Sequence, residues 1–170
     1  WGGSACSGAA FWYARATDGN KARTALKIFA SNFCSPHSFH LNGDQKGGQY
    51  STFTYRPFNL EGNFAFAQGL NEMLLQSYSG IIELFPAVHS GWKYISFNNL
   101  RAEGAFIVSA IKSNGQTNEI KITSEKGGHL RLKLPFKEFN VSGLSRMHRV
   151  ANGVLEVGMK NNETITLKGN

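Results

Sequence analysis

The apolar residues of this chain change their period at Gly80, and that change limits what the chain can fold into more than any other feature. Upstream, Phe66, Leu70, Met73, Leu74 and Ser77 recur three and four residues apart, the stripe of an amphipathic helix. Downstream, Glu119-Ile120-Lys121-Ile122-Thr123 and His129-Leu130-Arg131-Leu132-Lys133-Leu134 alternate residue by residue, as strands with one buried and one wet face do. A length of 170 residues allows one ordinary domain or two small ones. The two patterns predict an α+β chain in two parts: helices over 1–80 and an antiparallel β domain, most simply a small sandwich, over 81–170.

Three helices are expected in the first part. Residues 4–16 mix small side chains (Ala5, Gly8, Ala9, Ala10, Ala14) with Phe11, Trp12 and Tyr13, a helix apolar nearly all round that needs neighbours on several sides. After a turn at Asp18-Gly19-Asn20, Asn20 is expected to cap a second helix over 21–33. There Ala22, Leu26, Phe29, Ala30 and Phe33 line one face while Lys21, Arg23 and Lys27 stay wet. A hairpin of two such helices cannot bury both of its surfaces. A covering partner for residues 1–34, either more chain or a second copy, is therefore expected.

The third helix follows Pro57, which holds its approach extended, and Gly62, which allows a sharp turn. Asn63 is expected to cap it and Gly80 to end it. Glu61 is left just before the helix, where the positive end of the helix dipole favours an ionised carboxylate. Spacing alone supports two readings of Glu61, a catalytic carboxylate and a residue that only complements the dipole.

Residues 35–60 form a long connection rich in Gly, Asn and aromatics, among them His37, Phe39, His40, Asn42, Asp44, Tyr50, Phe53 and Tyr55. Connections of this length are uncommon in small domains unless they are functional or disordered. Aromatic faces beside Asn, Asp and His suit sugar rings, whose C–H faces stack and whose hydroxyls need hydrogen bonds; the same aromatics also serve as anchors that hold a loop down. His37, His40 and Asp44 have ligand chemistry, but their spacing matches no zinc signature. Neither a metal nor another cofactor is expected.

Strands are expected at 81–88, 93–97, 105–112, 119–124, 129–134, 154–160 and 164–168. Ser113-Asn114-Gly115 and Lys126-Gly127-Gly128 supply turns, and Asn161-Asn162 joins the last two strands. Trp92 and Phe106 read either as sugar platforms or as β-domain core.

Charge narrows the partners. Lys and Arg number 18 against 11 Asp and Glu, giving +7. They are spread as six basic and four acidic over 1–80, and twelve and seven over 81–170, mostly alternating with apolar residues. That is the pattern of a solvated sheet surface rather than a focused basic site, so no nucleic-acid partner is expected. No apolar run approaches a membrane span, and no membrane partner is expected. Cys6 and Cys34 both fall near the open end of the expected helical hairpin. A disulfide is geometrically possible there, and two buried free thiols are the alternative. From the start at Trp1, directly before helical pattern, a processed or truncated product is expected, and the start says nothing about localisation.

Several ordered segments carry a resemblance to a known family. Pro57-Phe58, Leu60-Glu61-Gly62-Asn63-Phe64 and Glu72-Met73-Leu74-Leu75-Gln76-Ser77 resemble the end of the catalytic domain of glycoside hydrolase family 95. Leu84-Phe85-Pro86-Ala87, Trp92 and Leu100-Arg101-Ala102-Glu103-Gly104-Ala105-Phe106 are similar to that family's C-terminal β domain, in the same order. The likeness covers most of residues 1–125.

The resemblance implies an inverting exo-glycosidase of the α-L-fucosidase or α-L-galactosidase type, with residues 1–80 as the last helices of an (α/α)6 barrel and 81–170 as the appended domain. It implies that Glu61 stands where the family has the Asp that helps activate the attacking water. Glu is longer by a methylene, so the water sits differently. Tyr55-Arg56-Pro57-Phe58 replaces the family's His-Pro-Pro-Phe, which places Tyr55, Arg56 and Phe58, together with Asn63 and His40, as expected substrate contacts. Arg56 favours a more acidic or differently hydroxylated sugar. The family's general acid lies upstream of everything matched here, so this chain alone is not expected to be a complete enzyme. An oligosaccharide or polysaccharide partner and a secreted, periplasmic or cell-surface bacterial location follow from the same resemblance. The alternative is a non-catalytic carbohydrate-binding or structural β-sandwich module.

Overall fold

A computed structural model describes residues 2–144 and 148–169 of the chain. It divides into two units, Trp1–Leu74 with Phe85–Ser90, and Leu75–Leu84 with Gly91–Asn170.

The first unit contains helices α1 (Gly3–Arg15), α2 (Gly19–Asn32) and α3 (Glu61–Leu74), with a short antiparallel pair, β1 (His40–Leu41) and β2 (Phe58–Asn59), between the last two. α1 ends where the N–H groups of Thr17 and Asp18 reach back to Ala14 O and Tyr13 O at 3.0 and 2.9 Å, which satisfies its last carbonyls. The residue that takes the left-handed conformation there is Thr17, at φ 60°. α2 is capped by Asp18 rather than Asn20: Asp18 Oδ1 accepts the Lys21 backbone N–H at 2.9 Å. That N–H, together with the Lys21 ammonium, holds the Asp18 carboxyl below its ordinary pKa. Asn20 is already engaged, accepting from the backbone N–H and the hydroxyl of Ser90 at 3.2 Å each.

α1 and α3 approach closely because small residues face each other; a Cβ added to Gly69 would lie 3.0 Å from Ala10 Cβ. Arg15 clamps Glu72 through two N–H groups, at 3.1 and 3.3 Å. Phe29 and Phe33 of the α2 region centre the core with Cys6, and Ile28, Cys34, Tyr50 and Phe66 pack on it. Burying each phenyl ring contributes roughly 1.5–3 kcal/mol. Cys6 and Cys34 are free thiols in this core, so of the two readings the structure has the unpaired one. Burial raises the pKa of both.

α3 stops at Leu74 rather than Gly80. Its last carbonyls are taken by neighbouring chain: Phe85 N–H reaches Leu74 O at 2.7 Å and Ala87 N–H reaches Met73 O at 3.4 Å. Its other end also differs from expectation. Glu61 is inside the first turn, and Leu60 supplies the carbonyl that accepts Phe64 N–H at 3.0 Å. Asn63 is thus too far into the helix to cap it.

The second unit begins with an antiparallel pair, β3 (Leu75–Gln76) and β4 (Glu83–Leu84). Then follow β5 (Tyr94–Ala102), β6 (Phe106–Ser113), β7 (Gln116–Ser124), β8 (Gly128–Lys133), β9 (Phe139–Ser142), β10 (Arg149–Ala151), β11 (Val154–Met159) and β12 (Glu163–Gly169). Two antiparallel sheets result, one ordered β5-β6-β7-β12-β9 and one ordered β10-β11-β8. Alternation sets their faces. Val108, Ile120, Ile122, Ile165 and Leu167 are buried in the first sheet, and Leu130, Leu132, Leu155 and Val157 in the second. The expected strand at 81–88 shrinks to β4 because Phe85 turns to φ 53° and Pro86 has no N–H to donate. The strand expected at 93–97 instead runs on to Ala102 across an irregularity between Phe97 and Leu100. β9 and β10 were not expected. Phe106 is core, 4% exposed, and not a platform.

Candidate active site

The connection over 35–60 is a hairpin. Beyond the β1–β2 pair, Asn42 N–H donates to Pro57 O at 3.3 Å, Gly43 N–H to Tyr55 O at 3.0 Å and Asp44 N–H to Phe53 O at 2.8 Å. Gly43 allows the two strands this approach, since a Cβ there would lie 2.6 Å from the Thr54 carbonyl carbon. The tip is organised by Asp44, only 1% exposed. Its carboxylate accepts the backbone N–H groups of Lys46 and Tyr50 at 2.8 and 2.9 Å and the Asn32 amide at 3.2 Å. Burial pushes this carboxyl up, but the N–H groups of Tyr50 and Lys46, the Asn32 amide and the Ser51 N–H outweigh it and hold Asp44 below the usual carboxylate range.

The outer strand of the hairpin carries Tyr55, Arg56 and Phe58, all exposed, and leads into Glu61 at the start of α3. Phe58 meets Phe39 edge-on at 5.5 Å between ring centres, and Tyr55 meets Phe53 at 6.0 Å. The result is two exposed aromatic pairs on the hairpin whose outer strand leads into Glu61.

Elimination singles out that carboxylate. The first unit has four acidic residues, Asp18, Asp44, Glu61 and Glu72. Asp18 caps α2, Asp44 closes the hairpin and Glu72 pairs with Arg15. Glu61 is exposed at a helix N-terminus, with no hydrogen-bond or ion-pair partner among the described residues. An unengaged, exposed carboxylate at a helix start can accept a hydrogen bond from an incoming group.

The remaining expected contacts lie elsewhere. Asn63 is spent on the loop: its Oδ1 accepts the His40 backbone N–H at 2.9 Å and its Nδ2 donates to Ser38 O at 2.8 Å. His40, expected to touch sugar, is fully buried and lies beneath the Glu61 turn rather than lining a surface. The ring interacts with Asn59 Oδ1 through Nδ1, and Asn59 Nδ2 donates to Asn42 Oδ1 at 2.7 Å. Sequence reasoning named His40 and Asn63 as substrate contacts but missed the network they form with Asn42 and Asn59; its only trace was the repeated Asn on both arms of what read as a loop. A separate groove of about 460 Å³ between α1 and α2, lined by Ala9, Tyr13, Thr24, Ile28 and Tyr50 among others, contains none of the expected site residues.

The model of the glycoside hydrolase family 95 C-terminal domain matches residues 76–167, and the chain belongs to that family. It is 38% identical over 84 residues to Alpha-L-fucosidase 2 of Arabidopsis thaliana, a match covering 48% of this chain and 10% of that protein. The chain thus spans about a tenth of the length of that curated relative. Among solved structures, a family 39 glycoside hydrolase from Bacteroides cellulosilyticus is 17% identical with a TM-score of 0.35, covering 69% of this chain and 21% of its own. An AmyP variant in complex with maltotriose is 13% identical with a TM-score of 0.32, covering 69% and 23%. Likenesses this weak carry no argument about fold or chemistry. Glu61 lies outside the stretch that the family model matches.

Proposed function

We propose that this chain is the C-terminal portion of an inverting exo-glycosidase acting on α-L-fucosides or related glycosides, and that Glu61 is its base-side carboxylate. The observation that carries the reading is the position of Glu61: of the four carboxylates in its unit it alone has no partner among the described residues, and it stands at the exposed start of α3, directly after the segment that carries Tyr55, Arg56 and Phe58. Inversion needs a base on one face of the sugar and an acid on the other, roughly 6.5–9.5 Å apart so that water fits between them. In this account the acid comes from sequence outside the chain. α1–α3 are then the end of a helical barrel, and the exposed Trp12 and Phe64, each 69% exposed, are faces that more of the barrel covers. The two sheets of the second unit form a sandwich, and the protein works outside the cytoplasm on oligosaccharide or polysaccharide. The test is hydrolysis of nitrophenyl α-L-fucoside and α-L-galactoside by the full-length protein, with the first-formed anomer followed by proton NMR. The β anomer is expected; release of the α anomer, or no hydrolysis of either, overturns the reading.

A second reading, glycan binding without catalysis, is favoured by one feature of the β unit. A cleft of about 660 Å³ is lined by Gln116, Thr117, Asn118, Phe136 and Lys137, among others, amides and a cation around an aromatic ring. Sugar-dependent protection of Lys137 from amine labelling would support it, and no response to a broad glycan panel would sink it.

A further inference from the structure

His40 is a polar ring that the site does not expose, and its surroundings are more specific than filling space requires. The imidazole is fully buried against Phe29, with ring centres 5.2 Å apart. Two glycines make room for it: a Cβ on Gly62 would lie 2.6 Å from Nδ1, and one on Gly3 would collide with Nε2. Asn59 Oδ1 stands 2.5 Å from Nδ1, and because the amide nitrogen of Asn59 is committed to Asn42, Nδ1 carries the proton. Nε2 is then a buried acceptor, and it has no partner among the described residues. An apolar side chain would fill the same space without that penalty, so the ring is held for what Nδ1 does. Its backbone is tied in as well, since His40 N–H donates to Asn63 Oδ1 at 2.9 Å. His40 therefore touches the chain at Asn59, Gly62 and Asn63, on both sides of Glu61.

We propose that His40 is a positioning residue for Glu61: through Asn59, Gly62 and Asn63 it fixes the turn that presents the carboxylate to the attacking water. The inference rests on Glu61 being the base. It predicts a loss confined to the chemical step, because a base displaced by a fraction of an ångström still allows the substrate to bind.

The test uses the full-length protein with nitrophenyl α-L-fucoside, comparing His40→Gln, His40→Asn, Asn59→Ala and Glu61→Gln. An Asn amide can reproduce the Nδ1–H donor and a Gln amide cannot. His40→Gln should lower kcat about 10- to 100-fold with KM held within about twofold, while His40→Asn keeps most of the turnover. If His40→Gln fails to fold, Asn59→Ala carries the test and should show the same loss in kcat alone. Unchanged kcat in the folded His40→Gln or Asn59→Ala protein, with Glu61→Gln inactive, overturns the role of His40 and leaves Glu61 as the base. Equal losses in His40→Gln and His40→Asn overturn the role of Nδ1. Full turnover in Glu61→Gln removes the base assignment and this inference with it.

Discussion

The Asp44 carboxylate and the Asn32 amide meet at 3.2 Å in the buried part of the first unit, joining the last turn of α2 to the tip of the hairpin that leads into α3. The same carboxylate gathers the N–H groups of Lys46 and Tyr50. Removing a charged acceptor shared by several donors costs about 1.5–3 kcal/mol, and Asp44→Ala should lose that much in urea unfolding. The pH dependence has a definite sign. The folded pKa of Asp44 is depressed, so its contribution is present above the ordinary Asp value of about 3.9 and is lost as pH falls through the lower folded value. Over that acid window the native chain should lose stability more steeply than Asp44→Ala; parallel slopes would remove Asp44 from the account.

Thr17 stands at φ 60° in the turn after α1, a conformation in which a β-branched side chain is strained. Thr17→Gly should raise stability by about 1 kcal/mol, read as a higher unfolding midpoint with an unchanged slope.

Gly62 has no room for a methyl group, with His40 Nδ1 at 2.6 Å and Phe29 Cε2 at 2.7 Å from where its Cβ would be. Both neighbours are buried rings, so neither can yield cheaply. Gly62→Ala should cost about 1–3 kcal/mol in thermal or urea unfolding.

Cys6 and Cys34 are unpaired, and burial raises both thiol pKa values. Both should react slowly with a maleimide in the native protein and fully after denaturation without reductant. Protection that persists until a reductant is added would indicate a disulfide.

Much of this was legible from the sequence, though unevenly. Periodicity located α2, β7 and β8, where Ile120, Ile122, Leu130 and Leu132 show their burial in their spacing, and a run of small and aromatic apolar residues located α1. Element ends were less legible because a neighbour decides them: α3 stops at Leu74 when Phe85 and Ala87 take its carbonyls, and Ser90 claims the Asn20 side chain that would have capped α2. The hairpin over 35–60 was not visible, since its order comes from one buried carboxylate and backbone pairing rather than from an apolar stripe. For the site, the family resemblance singled out Glu61, Tyr55, Arg56 and Phe58 on one segment, and in the structure all four are exposed. His40 read as a surface contact because nothing in its own segment reveals that Gly3 and Gly62 make a hole for its ring.

The central claim is that Glu61 activates the attacking water, and the most direct measurement is kcat for Glu61→Gln in the full-length protein on nitrophenyl α-L-fucoside, with folding checked by its unfolding midpoint. Loss of a general base predicts a fall of about 10²- to 10⁴-fold with KM little changed. Turnover equal to that of the unmutated protein would contradict the account.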